Sequence, residues 1–339
     1  MHSVVRSFRA AFVEGRFVPL LAAFGMIGMR AALFYTQGLP RIASPGDNYA
    51  WEPIAHLFAR PQVSLIASTL AVFLIAWILS LLNGRFNLIR SRSNLPFTAP
   101  VFLLSLHPYF LVMSGDYIAV IFVLLAFFPL LDSYQKPDPY LCSFRASILI
   151  AVASLFQIYA LFLLPLWWVG ERSMRGPQFR SFVSSWFGVF LVYVTLFSVY
   201  WLLDDIPRFV RPLLQFISLS LPEIPRFSLL EWGGVLFVGL FFISNMIFSI
   251  KIYSRDKALT LSLMQFMVFL IVFLLFLQVV YWRETFFFLS LSLTLVSYLN
   301  AYFYSITISK NHIYVAYGML SLMLLLYLSH LLPSMGTLL

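Results

Sequence analysis

Uninterrupted apolar runs of roughly 18 or more residues recur along this chain from one end to the other, and each can cross a bilayer core about 30 Å thick as a helix. Backbone N–H and C=O groups must be paired in lipid, so a spanning segment is either a helix or a strand of a closed barrel. The runs are continuous rather than alternating, which excludes a barrel. The sequence therefore predicts an all-α, polytopic membrane protein.

Charge and cysteine content exclude several other classes of protein. Charged residues make up 10% of the chain, whereas soluble domains contain about 25%. The net charge of +9 comes from basic residues in short loops, so we expect membrane lipids and no nucleic acid as partners. The single cysteine, Cys142, allows no internal disulfide and no cysteine metal cluster.

The apolar runs predict about 10–11 transmembrane helices in a single integral membrane domain, residues 1–339. The run at 144–170 is long for one upright helix and short for two. It is either a hairpin of two short helices around Gln157 or one tilted helix kinked at Pro165; basic loops on one side favour the hairpin. The predicted spans are 17–35, 63–82, 95–113, 117–132, 144–170, 182–203, 229–250, 259–281, 285–306 and 314–332.

The distribution of basic residues predicts an orientation. Fifteen of the 22 Lys and Arg residues fall in the N-terminal segment or in loops on its side of the membrane, and six fall on the opposite side. Short cytoplasmic loops are enriched in Lys and Arg. We therefore expect a bacterial inner (cytoplasmic) membrane protein with a cytoplasmic N-terminus and a periplasmic C-terminus.

The loop after the first span, residues 38–62, holds a concentration of polar and aromatic side chains, namely Asp47, Asn48, Tyr49, Trp51, Glu52 and His56. Asp47 is the candidate catalytic residue, because a carboxylate beside a helical bundle can act as a general base, typically contributing about 10²–10⁴-fold to a rate. It could instead bind a divalent metal; no other cofactor is predicted. His56 is a candidate substrate ligand. The alternative is a simple turn, since SPGDN consists of turn-forming residues.

Two arginines are candidates for binding a phosphate. Arg30 lies inside the first span, and its long side chain either snorkels to the interface or presents a planar guanidinium to a phosphate. Arg283 precedes Glu284 between two spans. Its side chain likewise either reaches the interface or binds a phosphate.

Asp116 and His107 are predicted to lie on the outer side of the membrane, the side of the loop at 38–62. Asp116 follows a Ser-Gly turn at the start of a span, where the helix dipole favours an acid, and is a candidate substrate ligand. His107 lies near the outer end of the span at 95–113. It is either a packing residue or part of the same cavity.

The second outer loop, residues 204–228, contains an amphipathic segment. Its apolar residues recur at helical spacing, with Arg208 and Arg211 elsewhere around the helix as further candidate ligands. The pattern predicts a helix at 208–219 that lies in the membrane interface and covers a lipid-substrate groove. The apolar face consists of Phe209, Leu213, Phe216 and Ile217.

These segments resemble the GT-C superfamily of membrane glycosyltransferases, which take sugars from polyprenyl-phosphate carriers. GDNYAWEPIAHLF looks like the first outer loop of that family, with Asp47 in the place of the catalytic acid. Asp116 in SGDYIAVIFVLL sits like its second acid, and FRASILIAVASLFQIYALFLLPLWW resembles its short paired helices. The resemblance covers about residues 17–205, a GT-C-like module that C-terminal helices at 206–339 follow. The same segments also resemble an uncharacterised family of bacterial polytopic membrane proteins.

The resemblance implies transfer of a sugar from a polyprenyl-phosphate donor to a cell-envelope acceptor at the outer face. Asp47 would be the general base, and Arg30 or Arg283 would hold the donor phosphate. The alternative is a non-catalytic subunit or scaffold of an envelope-assembly or secretion complex, with a membrane protein as its partner. A transporter is disfavoured, because the spans lack mid-span acids.

Overall fold

A computed structural model describes residues 3–40, 48–89, 92–217, 257–282, 285–307 and 309–331, together with the positions 239, 243 and 247. The described chain folds into helices without strands, which confirms the all-α prediction. The helices are α1 (Ser3–Phe8), α2 (Val18–Gln37), α3 (Glu52–Ala55), α4 (Pro61–Phe86), α5 (Leu95–Leu103), α6 (Gly115–Asp132), α7 (Tyr140–Phe156), α8 (Leu163–Arg175), α9 (Phe179–Leu202), α10 (Ile206–Leu214), α11 (Ala258–Val280), α12 (Thr285–Ile306) and α13 (Lys310–Leu331).

Seven of these helices are long and apolar enough to cross a membrane, which confirms a polytopic membrane protein. They are α2, α4, α6, α9, α11, α12 and α13. The shorter apolar helix α7 has 17 residues. The span predicted at 229–250 lies outside the described residues, apart from Gly239, Ile243 and Ile247, which are helical.

Contacts between distant parts of the chain define two ends of the bundle. At one, Arg9 Nη2 donates to the carbonyl of Ser305 at 2.9 Å; we call this the N-terminal end. At the other, Gln37 donates to the carbonyl of His330. We call this the loop end, because residues 48–60 connect α2 to α4 there.

The helix α12 lies at the centre of the bundle. In its most apolar window 78% of the residues are buried, against 11% for α9. Its buried hydroxyls bond back to carbonyls of the preceding turn, as Thr294 Oγ1 does to Ser290 O at 2.7 Å. This pairing lets a Ser- and Thr-rich helix occupy an apolar interior.

The span predicted at 95–113 is wrong as a continuous helix. Helix α5 ends at Leu103 after nine residues, or about 14 Å, and a 3₁₀ turn follows at Pro108–Leu111. Pro100 lies inside α5 and removes a backbone donor. His107 precedes Pro108 and is extended, with φ −121° and ψ 138°, as the residue before a proline tends to be.

The segment 144–170 forms the predicted hairpin. Gln157 interrupts the helices with an extended backbone, φ −150° and ψ 105°. After this turn α8 returns towards the start of α7, where Arg175 Nη2 donates to Ser143 Oγ at 2.7 Å and Nη1 to Pro139 O at 3.4 Å. Pro165 lies within α8 and is not the point at which the chain bends.

Candidate functional site

Residues Asn48–Trp51 of the first loop are anchored against the end of α7 and the start of α6. Ala50 N donates to the carbonyl of Leu155 at the tip of the hairpin, at 2.8 Å. Trp51 packs over Gly115, the first residue of α6: a Cβ at Gly115 would lie 3.0 Å from Trp51 Cβ and 2.7 Å from Phe156 O. Only glycine permits this close approach, so the loop and α6 meet at Gly115.

Asp116 lies directly beneath that contact, in the first turn of α6. Its side chain is 1% exposed and accepts hydrogen bonds from Ser114 Oγ at 3.0 Å and from Gln157 Nε2 at 2.6 Å. The positive end of the helix dipole also favours an acid here. The hairpin tip, α6 and the first loop therefore converge on one buried carboxyl group.

Asn48 is a second buried polar residue in the anchored loop. It is 2% exposed, and among the described residues neither its Nδ2 nor its Oδ1 has a hydrogen-bond partner. A buried polar group without a partner costs roughly 1–3 kcal/mol. Such groups are rare in native structures and call for a functional or structural explanation.

Helix α10 covers this region and is held there by tyrosine hydroxyls. Tyr49 donates to the carbonyl of Phe209 at 2.6 Å, Tyr159 to that of Gln215 at 3.2 Å and Tyr281 to that of Phe216 at 3.1 Å. Burial, with smaller contributions from Tyr193 and Tyr200, raises the pKa of Tyr49, so its hydroxyl remains a donor. The anchored loop and α10 therefore behave as one packed unit.

The amphipathic character predicted for this segment is present, with two differences. The helix begins at Ile206 and ends at Leu214, so residues 208–219 do not form one continuous helix. Phe209, Leu213 and Phe216 pack against the core, but Ile217 is 77% exposed. Asp205 Oδ1 accepts from Arg208 N at 3.3 Å and caps the helix start.

The charged candidates near α10 lie at its surface. Arg208 Nη2 pairs with Glu52 Oε1 at 3.1 Å, and this hydrogen bond raises the pKa of Arg208. Both side chains are exposed, so the pair contributes little to stability. Arg211 is exposed and has no ion pair with a described residue. His56 is exposed on the turn that follows α3.

Arg30 does not snorkel to the interface. Its side chain is 1% exposed, and it donates to Thr69 Oγ1 at 2.9 Å and to Ser68 Oγ at 2.6 Å. It also donates to the carbonyls of Leu104 at 3.0 Å and Phe110 at 2.8 Å. The guanidinium thus satisfies the backbone where α5 breaks, and a donor phosphate would have to displace these contacts.

The other candidate residues are His107, Asp47 and Arg283, and the structure shows none of them in contact with Asp116 among the described residues. His107 is exposed, and its ring centroid lies 4.6 Å from that of His330 at the end of α13. Asp47 and Arg283 lie outside the described residues. Within the described residues no three His, Cys, Asp or Glu side chains are arranged to hold a metal ion.

Sequence reasoning missed two contributions to this site. Gln157 stands out as a lone amide in an apolar run, and that is the signal that could have identified it as a partner for a buried acid. Tyr49 carries no such signal, because its acceptor is a carbonyl 160 positions away. Comparisons with protein-family models, curated proteins and solved structures gave no match.

Proposed function

We propose that the chain is a membrane glycosyltransferase that moves a sugar from a polyprenyl-phosphate donor to an acceptor hydroxyl at the loop end. The observation that carries the proposal is the anchoring of Asn48–Trp51 over the buried Asp116. Asp47 directly precedes this anchored segment in sequence. Asp116 directly follows Gly115, the residue that Trp51 of the anchored segment contacts.

The proposed reaction needs a base and positive charge beside the leaving phosphate. Asp47 takes the proton of the acceptor hydroxyl. At the same time the hydroxyl oxygen of the acceptor attacks the anomeric carbon of the donor sugar. The bond from that carbon to the phosphate oxygen breaks, and polyprenyl phosphate leaves with the electron pair. Arg211, with Arg283, is assigned to the phosphate, whose developing charge needs stabilisation. Arg30 is left out of this role because protein oxygens occupy its donors.

Helix α10 has the properties of a cover over such a site. Its inward face contributes the apolar side chains of Phe209 and Leu213, and the side chains of its cations, Arg208 and Arg211, are exposed. An isoprenoid tail is apolar and its phosphate is anionic, so displacement of α10 from the bundle would offer a carrier lipid an apolar face for its tail and cations for its phosphate. The amide of Asn48, which has no hydrogen-bond partner among the described residues, is a candidate ligand for sugar hydroxyls.

The test is transfer from defined donors by protein in lipid vesicles. Vesicles would be supplied with polyprenyl-phosphate hexoses labelled in the sugar, together with a membrane extract as the acceptor source. Release of polyprenyl phosphate would be followed by chromatography. We expect Asp47→Asn to reduce the rate by about 10²-fold or more, the typical contribution of a general base, and Asp116→Asn to reduce it as well.

Asp204→Asn is the matched control at the same end. Asp204 is exposed and has a left-handed backbone, φ 53°, which asparagine tolerates. Its variant should retain the full rate. Full activity in Asp47→Asn, or no release from any of the donors, would contradict the proposed reaction.

A second candidate function is a non-catalytic subunit of an envelope-assembly or secretion complex. One observation favours it: the buried charged groups Arg30 and Asp116 direct their hydrogen bonds to other parts of the same chain. In that case Asp47→Ala should leave function intact, and the chain should purify with a stoichiometric membrane-protein partner.

A further inference from the structure

A cavity of about 380 Å³ lies at the N-terminal end, between the end of α8 and the start of α9. It is far along the chain from the loop-end site and plays no part in the proposed reaction. Polar groups of Glu171, Arg172 and Gln178 line one part of it, and the rings of Trp168 and Phe182 line another. The volume falls within the range of small-molecule sites, roughly 300–1,000 Å³.

The charged part of the lining carries one cation in excess. Glu171 Oε2 and Arg175 Nη2 lie 2.7 Å apart, and their side chains are only 8% and 2% exposed. Ser143 Oγ accepts a further hydrogen bond from Arg175, so the charge of this pair is balanced within the protein, although Arg175 Nε is buried without a partner among the described residues. Arg172 is exposed and forms no ion pair or hydrogen bond with any described residue. An anion is therefore the ligand that the lining favours.

A neutral donor adds to this cation. Gln178 Oε1 accepts a long hydrogen bond from Ser181 Oγ, at 3.4 Å. Among the described residues no acceptor is shown for the amide N–H groups of Gln178, which also lines the cavity. A guanidinium fork beside an amide is well suited to a phosphate oxygen pair.

The aromatic part of the lining continues onto a surface that faces lipid. The rings of Trp168 and Phe182 are 4.6 Å apart, and Phe182 is 40% exposed. Further along α9, Trp186 and Phe190 are 50% and 64% exposed. An anion bound at Arg172 could therefore carry an apolar chain along α9.

We propose that this cavity binds the phosphodiester of an anionic membrane phospholipid. The phosphate contacts Arg172 and Gln178, and the acyl chains lie on the aromatic side chains of α9. The position suits this ligand, since basic residues near a membrane surface attract anionic headgroups. The Glu171–Arg175 ion pair also lines the cavity and adds no net charge to it. This site is independent of the glycosyltransferase proposal.

The test compares three ligands that separate the headgroup from the chains. Purified full-length protein in detergent would be titrated with dioleoylphosphatidylglycerol, with dioleoylglycerol, which has the same chains and no phosphate, and with inorganic phosphate. The shift of the thermal unfolding midpoint gives an apparent Kd, because ligands that bind the native state stabilise it. We expect stabilisation by the phospholipid only.

Variants then assign the effect to the cavity. Arg172→Gln should weaken phosphatidylglycerol binding about fivefold, the loss expected for one basic residue at a membrane surface, and Arg172→Lys should retain most of the affinity. Arg145→Gln is the matched control, because Arg145 is exposed at the same end and does not line the cavity.

Two outcomes would overturn the proposal. One is equal affinity for phosphatidylglycerol in Arg172→Gln and in the unaltered protein. The other is equal stabilisation by inorganic phosphate, which would identify a site for a soluble anion instead of a lipid.

Discussion

Arg30 illustrates how a single side chain can reconcile an interrupted helix with a membrane interior. A charged residue in this environment is costly and is normally found with partners. Here the planar guanidinium has donors in several directions, and it uses them on two hydroxyls of α4 and two carbonyls of the segment after α5. The residue is therefore a structural connector among α2, α4 and that segment.

Replacement of Arg30 tests this structural role. Arg30→Met should leave the carbonyl of Leu104 without its side-chain donor, whereas that of Phe110 keeps the hydroxyl of Tyr117. An unpaired buried carbonyl costs roughly 1–3 kcal/mol. We expect a marked fall in the thermal unfolding midpoint in detergent. Arg145→Met, which removes an exposed arginine, should change the midpoint little. A stable Arg30→Met protein would rule out this role.

The candidate site was predictable from the sequence only where its signals are local. Ser-Gly-Asp before an apolar run marks a helix start, and α6 does begin at Gly115. The hydrogen bond of Asp116 with Gln157 joins residues 41 positions apart. The burial of Asn48 likewise depends on the hairpin tip and α6 arriving at the same place, which no local pattern encodes.

Among the elements, α7 and α9 pack closely through small residues. A Cβ at Gly188 would collide with Ser147 Oγ and would lie 2.9 Å from the carbonyl of Phe144. Helices in membranes associate through such small side chains, because these allow the backbones to approach. The absence of a side chain at Gly188 therefore sets the spacing of this helix pair.

We expect Gly188→Ala to separate α7 from α9 and to lower the stability. Overpacking of a close contact typically costs about 1–3 kcal/mol. The measurement is the thermal unfolding midpoint beside that of Gly25→Ala, because a Cβ at Gly25 meets nothing within 4 Å. Equal midpoints for the two variants would show that the helix pair tolerates a wider spacing.

Hydropathy predicted the long helices well and the broken one poorly. Helices α11 and α12 span Ala258–Val280 and Thr285–Ile306, close to the predicted 259–281 and 285–306, because the length of an apolar run limits the length of the helix. The segment after Leu103 is equally apolar. Pro100 lies before this segment and Pro108 lies within it. Neither proline has a backbone N–H to donate, and a hydropathy scale does not register that loss.

At the scale of the whole molecule, the two ends differ in charge. The N-terminal end carries exposed Arg6, Arg16, Lys136 and Arg172, whereas the loop end has fewer basic residues among those described. This asymmetry has the form of the positive-inside pattern, and the cytoplasmic N-terminus remains a prediction from the sequence.

Cysteine labelling tests this orientation. In a Cys142→Ser background, Leu203→Cys places a thiol at the loop end and Lys136→Cys places one at the N-terminal end, both at exposed positions. A membrane-impermeant maleimide applied to intact cells should label Leu203→Cys and should label Lys136→Cys only after lysis. The reverse pattern would invert the topology.

The broken segment after α5 also has a consequence for biosynthesis. Its carbonyls and N–H groups are paired by Arg30 on α2, Ser64 and Ser68 on α4, and Tyr117 on α6. Chains emerge from the ribosome with the N-terminus first, so most of these partners are in the membrane before the segment that needs them. A gene rearranged to encode α2 after α5 would deliver unpaired carbonyls into lipid before their arginine had been translated.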